Sequence, residues 1–439
     1  MLEFQKKLSN FFYAVLALPA TAMGFGLSVQ IAALSWILRT QYGLEIYEIG
    51  IVWAAGPIAG IIGQPIVGMI SDKIWFWGGR RRPFVLIGGV LAALSIFALP
   101  YIGLIDEFLG IGSIMAVAIT IALTLDLAIN ISFNPTRAII ADVTPDGPPR
   151  TKGYTWMQSI SNLFGSLAYL TGALFGNFIL IYSGVVLIFL FSVIPMFFIT
   201  EPRHLDGSGD DSEDDQGEEQ AGKLPPTPTQ WGELWKIYFA HSFSWLGIQT
   251  MFIYAIVFIE EKINLTSDLL TQDETNLLTG QMIGWSFFLL NAVGAIWPIF
   301  VLEPMSRKIG RVNTHFIAVA TMALGYFGIV LFVREQMTLY LFMVVLSFGW
   351  AAVVSLPFAI MSEKVNRARM GFFMGIFNLS VVLPQLVASF AIGFIIHATA
   401  ERSVFIISGA SLALSALLWL LVTEKKASHG PSMEQNAVK

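Results

Sequence analysis

The chain has 439 residues, 55% of them hydrophobic and only 13% charged, about half the charge of a soluble globular protein, which excludes a water-soluble fold and makes lipid the solvent for most of it. The absence of cysteine excludes disulfides and thiol chemistry. The net charge of −5 says little, because the acid is concentrated in one stretch, Asp210, Asp211, Glu213, Asp214 and Asp215.

Apolar residues arrive in blocks of about 20, the length that crosses a hydrocarbon core about 30 Å thick as helix. A spanning β-barrel would show short alternating segments instead. In chain order the blocks predict twelve helices. Met1 to Asn10 carries Lys6 and Lys7, and the apolar run near 11–38 that follows is too long for a cleavable leader, so it reads as span 1. Spans 2 to 6 fall near 46–71, 83–104, 111–141, 153–176 and 178–200. Residues 201–230 hold the acidic run and Pro225, Pro226 and Pro228, a composition that cannot bury a core and predicts a disordered cytoplasmic linker. Spans 7 to 12 fall near 234–259, 277–302, 314–333, 337–361, 369–396 and 402–423. The expected organisation is an N-terminal six-helix bundle over 1–200, the linker 201–230, a C-terminal six-helix bundle over 231–423 and a cytoplasmic tail over 424–439.

Direction follows from the loop cations. With a cytoplasmic N-terminus, one face collects 20 of the 25 Lys and Arg residues, and the other holds Arg39, Lys262, Arg334 and Arg402. The bias predicts both termini on the cytoplasmic side of the cell membrane. Arg137 alone lies within a span.

The halves share punctuation. Gly68-Met69-Ile70-Ser71-Asp72-Lys73 and Gly79-Arg80-Arg81-Arg82-Pro83 follow span 2, and Glu303-Pro304-Met305-Ser306-Arg307-Lys308-Ile309-Gly310-Arg311 follows span 8. Span 4 ends Pro135-Thr136-Arg137 to Asp142, and span 10 ends Pro357-Phe358 to Glu363. Six spans plus six with these loops resemble the major facilitator superfamily. That implies an all-α membrane protein of twelve transmembrane helices in two pseudo-symmetric six-helix bundles that rock about a midplane site. Gly68, Asp72, Arg80, Arg81, Arg82, Glu303, Arg307 and Arg311 are then expected to tie helix ends together in one conformation, not to touch substrate.

Of the 30 acidic residues, only Asp126 lies deep within a span. A carboxylate there costs several kcal/mol unless it faces a cavity, finds a partner or is protonated. Asn130 is one turn on, and Arg137, eleven residues on, differs by about 20° in direction and about 16 Å in height. The three form a polar stripe suited to the wall of an aqueous cavity. Asp126 can accept sugar hydroxyls and can bind and release a proton, and Arg137 supplies fixed donors. The structural alternatives are a neutral Asp126 satisfied by a neighbouring helix, and an Arg137 that snorkels or pairs with Asp142.

Gly56-Pro57-Ile58-Ala59-Gly60, Gln64-Pro65-Ile66-Val67-Gly68, Ser71-Asp72 and Gly79 to Phe84 resemble the plant sucrose transporters and their bacterial and animal relatives. These are glycoside–pentoside–hexuronide:cation symporters of the same superfamily. Leu125-Asp126-Leu127-Ala128 to Ala138, Leu289-Leu290-Asn291, and Met374 to Leu379 with Pro384-Gln385 are similar to the same family, so the likeness runs across nearly the whole chain outside linker and tails. It implies proton-driven uptake of a glycoside, a disaccharide such as sucrose or maltose, with Asp126 as proton site and holder of sugar hydroxyls and Arg137 lining the cavity. Span 7 departs from the plant pattern. It keeps Ser244-Trp245-Leu246 but then reads Tyr254-Ala255-Ile256-Val257-Phe258-Ile259-Glu260-Glu261-Lys262, which suits a bacterial-type relative with another sugar preference.

Further candidates for sugar contact are Gln30, Gln64, Gln158, Trp245, Gln249, Asn291, Asn378 and Gln385, each equally able to serve as an interhelical hydrogen bond worth about 0.6 kcal/mol. Trp75, Trp77, Trp231 and Trp235 read as interface anchors, and His241 is expected to face the interface. The sequence lacks the HExxH, CxxC, GxxxxGK[ST] and nucleophile-elbow motifs, so no enzyme, no nucleotide-driven pump, no cofactor, no metal and no nucleic-acid partner is expected. The expected partners are a small-molecule sugar, a proton and the lipid bilayer, with the chain a monomer. A sodium-coupled or facilitative sugar carrier and a non-transporting sugar sensor stay open as alternatives.

Overall fold

The computed structural model describes residues 7–145, 148–201, 229–264, 270–365, 370–399 and 403–424. Nearly all of the linker, 202–228, and the tail 425–439 lie outside the described residues. Among the described residues no strand forms, only one isolated bridge between Phe76 and Gly79.

Span 1 is α1 (Asn10–Thr40), started by the Ser9 hydroxyl, which accepts from the Phe12 amide at 3.2 Å. Span 2 is α2 (Ile46–Trp53) and α3 (Ala55–Lys73), and span 3 is α4 (Arg82–Ala98), one 3₁₀ turn and α5 (Ile102–Leu109). Spans 4 to 6 are α6 (Ile114–Val143), α7 (Pro148–Phe175) and α8 (Asn177–Phe198). Span 7 is α9 (Trp231–Asn264). Span 8 is α10 (Gln272–Gly294), a π-helical stretch Pro298–Leu302 and α11 (Glu303–Ile309). Spans 9 and 10 are α12 (Arg311–Phe332) and α13 (Gln336–Ser362). Span 11 is α14 (Met370–Val387), a second π-helical stretch Ala388–Ile392 and α15 (Gly393–Ala398), and span 12 is α16 (Ser403–Trp419).

Nine helices among the described residues are long and apolar enough to cross a membrane, and Ile46–Ile61 and Ser403–Trp419 are shorter apolar helices. α7 is not one of the nine. Its Gln158, Ser159, Ser161, Asn162 and Ser166 dilute the apolar pattern. Large apolar side chains such as Phe108, Phe197 and Leu324 stand exposed around the bundle, the arrangement expected of a surface bathed in lipid.

Helices α1, α3, α4, α6, α7 and α8 pack on one another, and α9, α10, α12, α13, α14 and α16 do likewise. The two bundles meet where α7 packs on α10, where α2 packs on the second π stretch and α15, and where α14 packs on α3. At the near end, where α1 begins, each bundle keeps its own core. One is built around Phe12, Leu16, Val85, Ile139 and Met196, the other around Leu234, Ile237, Val312, Ile360 and Trp419. Toward the far end a single core runs through both, joining Trp36, Ile37 and Val52 to Phe252, Ile253 and Phe287. The molecule is therefore sealed at the far end and divided at the near end.

Candidate functional site

Between the bundles lies a cavity of about 530 Å³, walled by α1, α6 and α7 on one side and by α10 and α13 on the other. A hollow of about 540 Å³ beside it shares Arg137, Met157 and Gln158 and adds Tyr154 and Ser159, which continues the opening toward the near end. The polar wall comes mainly from α7. Gln158, Asn162, Ser166 and Tyr169 line the cavity, and their spacing of three to four residues places them on one helix face. Gln158 Nε2 donates to Asn162 Oδ1 at 2.8 Å, and Ser161 shares a hydrogen bond with Thr21 of α1 at 3.2 Å. Of this face only Gln158 was singled out in the sequence, because serines on an apolar helix look like ordinary packing residues.

Arg137 lines the cavity, exposed, with its guanidinium over the Phe133 ring at 4.1 Å. Asp142, the sequence's alternative partner for it, is held instead by Arg81 Nε at 3.3 Å. Asp126 does not line the cavity. It is buried, and its Oδ2 accepts from Gln30 Nε2 of α1 at 3.0 Å. Asn130 Nδ2 turns back to donate to the Asp126 carbonyl at 2.7 Å. Gly56 of α3 covers the carboxylate, and a Cβ there would lie 3.3 Å from Oδ2. The stripe read from helical spacing is thus divided, Arg137 open to the cavity and Asp126 and Asn130 enclosed beyond it. Ion pairing plays no part at Asp126 among the described residues; its one side-chain partner is an amide.

In the other bundle, Gln385 Nε2 of α14 donates to Gln249 Oε1 of α9 at 3.2 Å. Asn291 lines the cavity, but its Nδ2 donates to the Phe287 carbonyl and its Oδ1 accepts the Trp350 indole N–H at 3.2 Å. It therefore holds Trp350, a cavity residue the sequence reading missed. Trp245 packs edge-on against Trp350 at 6.1 Å between ring centroids. Asn378 is half-buried on α14. Gln64, Gly68 and Asp72 fall within α3, but their side-chain surroundings lie outside the described residues. His241, expected at the interface, is buried inside the C-terminal bundle. The sequence put it near the start of a span beginning at about 234, but α9 begins at Trp231, so His241 already lies ten residues into the helix.

The near-end motif residues form two matching clusters. In the first, the Glu201 carboxylate accepts the backbone N–H groups of Arg80, Arg81 and Arg82 at 2.7 to 3.1 Å, where α4 starts, and Arg81 also pairs with Asp142. In the second, Glu424 accepts from the Val312 amide at 3.1 Å and from Arg311 Nε at 3.2 Å, where α12 starts, and Arg311 also pairs with Glu363 at 2.6 Å. An anion at a helix start satisfies amides that have no partner within the helix. Gly310, at φ +88°, leaves space that a Cβ would take, 2.6 Å from Glu424 Oε2. Glu303 and Arg307 instead form an exposed pair on α11. Sequence reading placed Glu201 in the linker and Glu424 in the tail. The signal that finds both is the repeat Ile199-Thr200-Glu201 and Val422-Thr423-Glu424.

The far end is closed across the bundles. Ser35 Oγ donates to the Ile253 carbonyl at 2.9 Å and Trp36 Nε1 to the Asn276 carbonyl at 2.7 Å. Arg39 meets Glu260 at 3.3 Å.

The profile of the Major Facilitator Superfamily matches residues 16–389. The sucrose transport protein SUT2 of Oryza sativa subsp. indica is 25% identical over 435 residues, 85% of this chain and 84% of that protein. The sucrose transport protein SUC4 of Arabidopsis thaliana is 24% identical over 85% of this chain and 82% of its own length. The general alpha-glucoside permease of Schizosaccharomyces pombe is 30% identical over 155 residues, 32% of this chain and 28% of its own. Among solved structures, a D323A mutant of the nucleoside transporter NupG has a TM-score of 0.73 at 11% identity, covering 94% of this chain and 100% of that one. The inward-open xylose transporter XylE from E. coli has a TM-score of 0.67 at 15% identity, covering 94% and 96%. These two likenesses concern the fold.

Proposed function

The chain belongs to the Major Facilitator Superfamily, and on that premise we propose that it is a proton-coupled symporter that imports a glycoside, a disaccharide such as sucrose or maltose, by alternating access. The observation that carries the reading is the pairing of Asp126 with Gln30 across two helices of the N-terminal bundle, just beyond a polar cavity between the bundles. The curated relatives that match most of the chain are sucrose transport proteins, which supports the sugar.

The cation bias supports a cytoplasmic near end, and on that orientation the conformation is open inward and closed outward. The N-terminal bundle (1–200) and the C-terminal bundle (231–423) rock as units, the far-end contacts breaking as near-end contacts form. A flat sugar face suits the Trp350 ring, and the hydroxyls suit Arg137, Gln158 and Asn162, a few placed polar groups in a partly apolar cavity. Asp126 holds the proton. An uncompensated carboxylate in the membrane interior is costly, so the protonated form is the one that can be carried enclosed, and release follows once water reaches it. Gln30, as the donor to Asp126, is the group a sugar hydroxyl would replace.

The test is glycoside uptake into proteoliposomes under an imposed pH gradient, native protein against Asp126→Asn. The native protein is expected to accumulate sugar uphill and the variant only to equilibrate it. Equal uphill accumulation would remove the proton role from Asp126, and accumulation that follows a sodium gradient instead would change the coupling ion.

A further inference from the structure

His241 is 2% exposed in the interior of the C-terminal bundle and does not line the cavity. Its ring lies flat on Phe377 of α14, with centroids 4.8 Å apart and planes 14° from parallel. Its Nε2 accepts the indole N–H of Trp245, one turn along α9, at 2.9 Å. An indole N–H can only donate, so Nε2 is the bare nitrogen and the imidazole is the neutral tautomer with its proton on Nδ1.

Trp245 is the next link. Its ring meets Trp350 of α13 edge to face, and Trp350 is part of the cavity wall. Trp350 is fixed at its polar edge by Asn291 Oδ1 and flanked by Phe252, whose ring lies 5.4 Å away at 86°. The Trp245 indole N–H has His241 as its acceptor. A half-buried indole that loses its acceptor leaves a desolvated N–H, which costs free energy unless the ring turns to find another. Any such turn moves the face that braces Trp350.

We propose that His241 is a positioning residue for the sugar site: by accepting the Trp245 N–H it fixes the ring that braces Trp350 at the cavity wall. The proposal rests on the reading of the cavity as a glycoside site. It acts on how the sugar is held in the bound state, not on the rocking of the bundles, so its effect falls on KM and leaves the maximal rate near native.

The test compares the native protein with His241→Phe, which keeps a ring on Phe377 but has no acceptor, with His241→Gln, which supplies an accepting oxygen, and with Trp245→Phe, which removes the N–H. KM and maximal rate are read from glycoside uptake in proteoliposomes. His241→Phe is expected to raise KM about 3- to 10-fold, the worth of one hydrogen bond, with the maximal rate within about twofold. His241→Gln is expected to bring KM back toward native, and the double variant His241→Phe/Trp245→Phe to be no worse than Trp245→Phe alone, since both remove one interaction. An unchanged KM in His241→Phe overturns the proposal. So does an equal loss in His241→Gln, which would make the role one of packing, and so do additive losses in the double variant. If His241→Phe does not fold, Trp245→Phe decides, a raised KM supporting the proposal and a native KM overturning it. Absence of glycoside uptake by the native protein overturns the sugar reading itself, and the role of His241 with it.

Discussion

Gly284 of α10 sits against Ala173 of α7 so closely that a Cβ would come within 2.5 Å of the Ala173 backbone nitrogen. The two helices belong to different bundles, so this backbone-to-backbone contact is part of the far-end seal, and no side-chain rotation can relieve an added group. Overpacking of this kind costs about 1–3 kcal/mol, enough to shift a two-state equilibrium by about 5- to 150-fold. Gly284→Val is therefore expected to favour the state open at the far end. Because the protein has no cysteine, a single Asn276→Cys reports the seal. Its labelling from the far side should be at least severalfold faster with Gly284→Val than without, and equal rates would mean that the seal does not depend on this contact.

The near-end clusters lead to a ranking. Glu201 accepts three backbone amides, whereas Glu424 accepts one amide and one guanidinium. Neutralising either weakens charge-assisted bonds at a helix start, each worth about 1.5–3 kcal/mol. Glu201→Gln is expected to lower the thermal unfolding midpoint in detergent more than Glu424→Gln does. The reverse order would show that the guanidinium, not the amides, dominates the anchor.

The twelve-helix fold was legible because lipid imposes a long apolar block on every span and leaves its cations in the loops. Asp126 was legible for the same reason, since a carboxylate stands out in such a block. Its partnership with Gln30 was not, because nothing local links residues 96 positions apart. Gly284 was invisible as a contact: a glycine in an apolar helix carries no label saying what it touches. Glu201 was hidden by the acidic run that follows it, although the Thr-Glu repeat after spans 6 and 12 held the signal. The α7 wall failed for the opposite reason, its serines being too ordinary to single out.

Arg137 offers a test of geometry against charge. Its guanidinium lies over the Phe133 ring at 4.1 Å, and this planar group presents its donors in a fixed fork, which an ammonium on a flexible stem cannot copy. Arg137→Lys keeps the charge and is expected to raise the glycoside KM about tenfold, or roughly 1.4 kcal/mol, with a smaller change in maximal rate. A native KM would show that Arg137 only fills the mouth of the cavity.

Arg39 and Glu260 join α1 to α9 across the far end at 3.3 Å, with side chains 29% and 21% exposed. A partly exposed pair is worth about 0.2–1 kcal/mol and weakens with salt. Its position matters more than its strength, because it joins the two bundles and so exists only while the far end is closed. Arg39→Ala should therefore leave the fold intact yet speed far-side labelling of Asn276→Cys by up to about fivefold, the ratio that the upper end of that energy sets. Raising the salt concentration should bring the native rate toward that of the variant. Glu45 lies 3.8 Å from Arg39 on the other side, so an Arg39→Glu change should open the seal further by facing two carboxylates. Adding Glu260→Arg should restore slow labelling if Glu260 is the partner that closes the gate. If the double reversal labels as fast as Arg39→Glu alone, the seal is held by the Ser35 and Trp36 hydrogen bonds and the glycine contact, and the ion pair is a bystander.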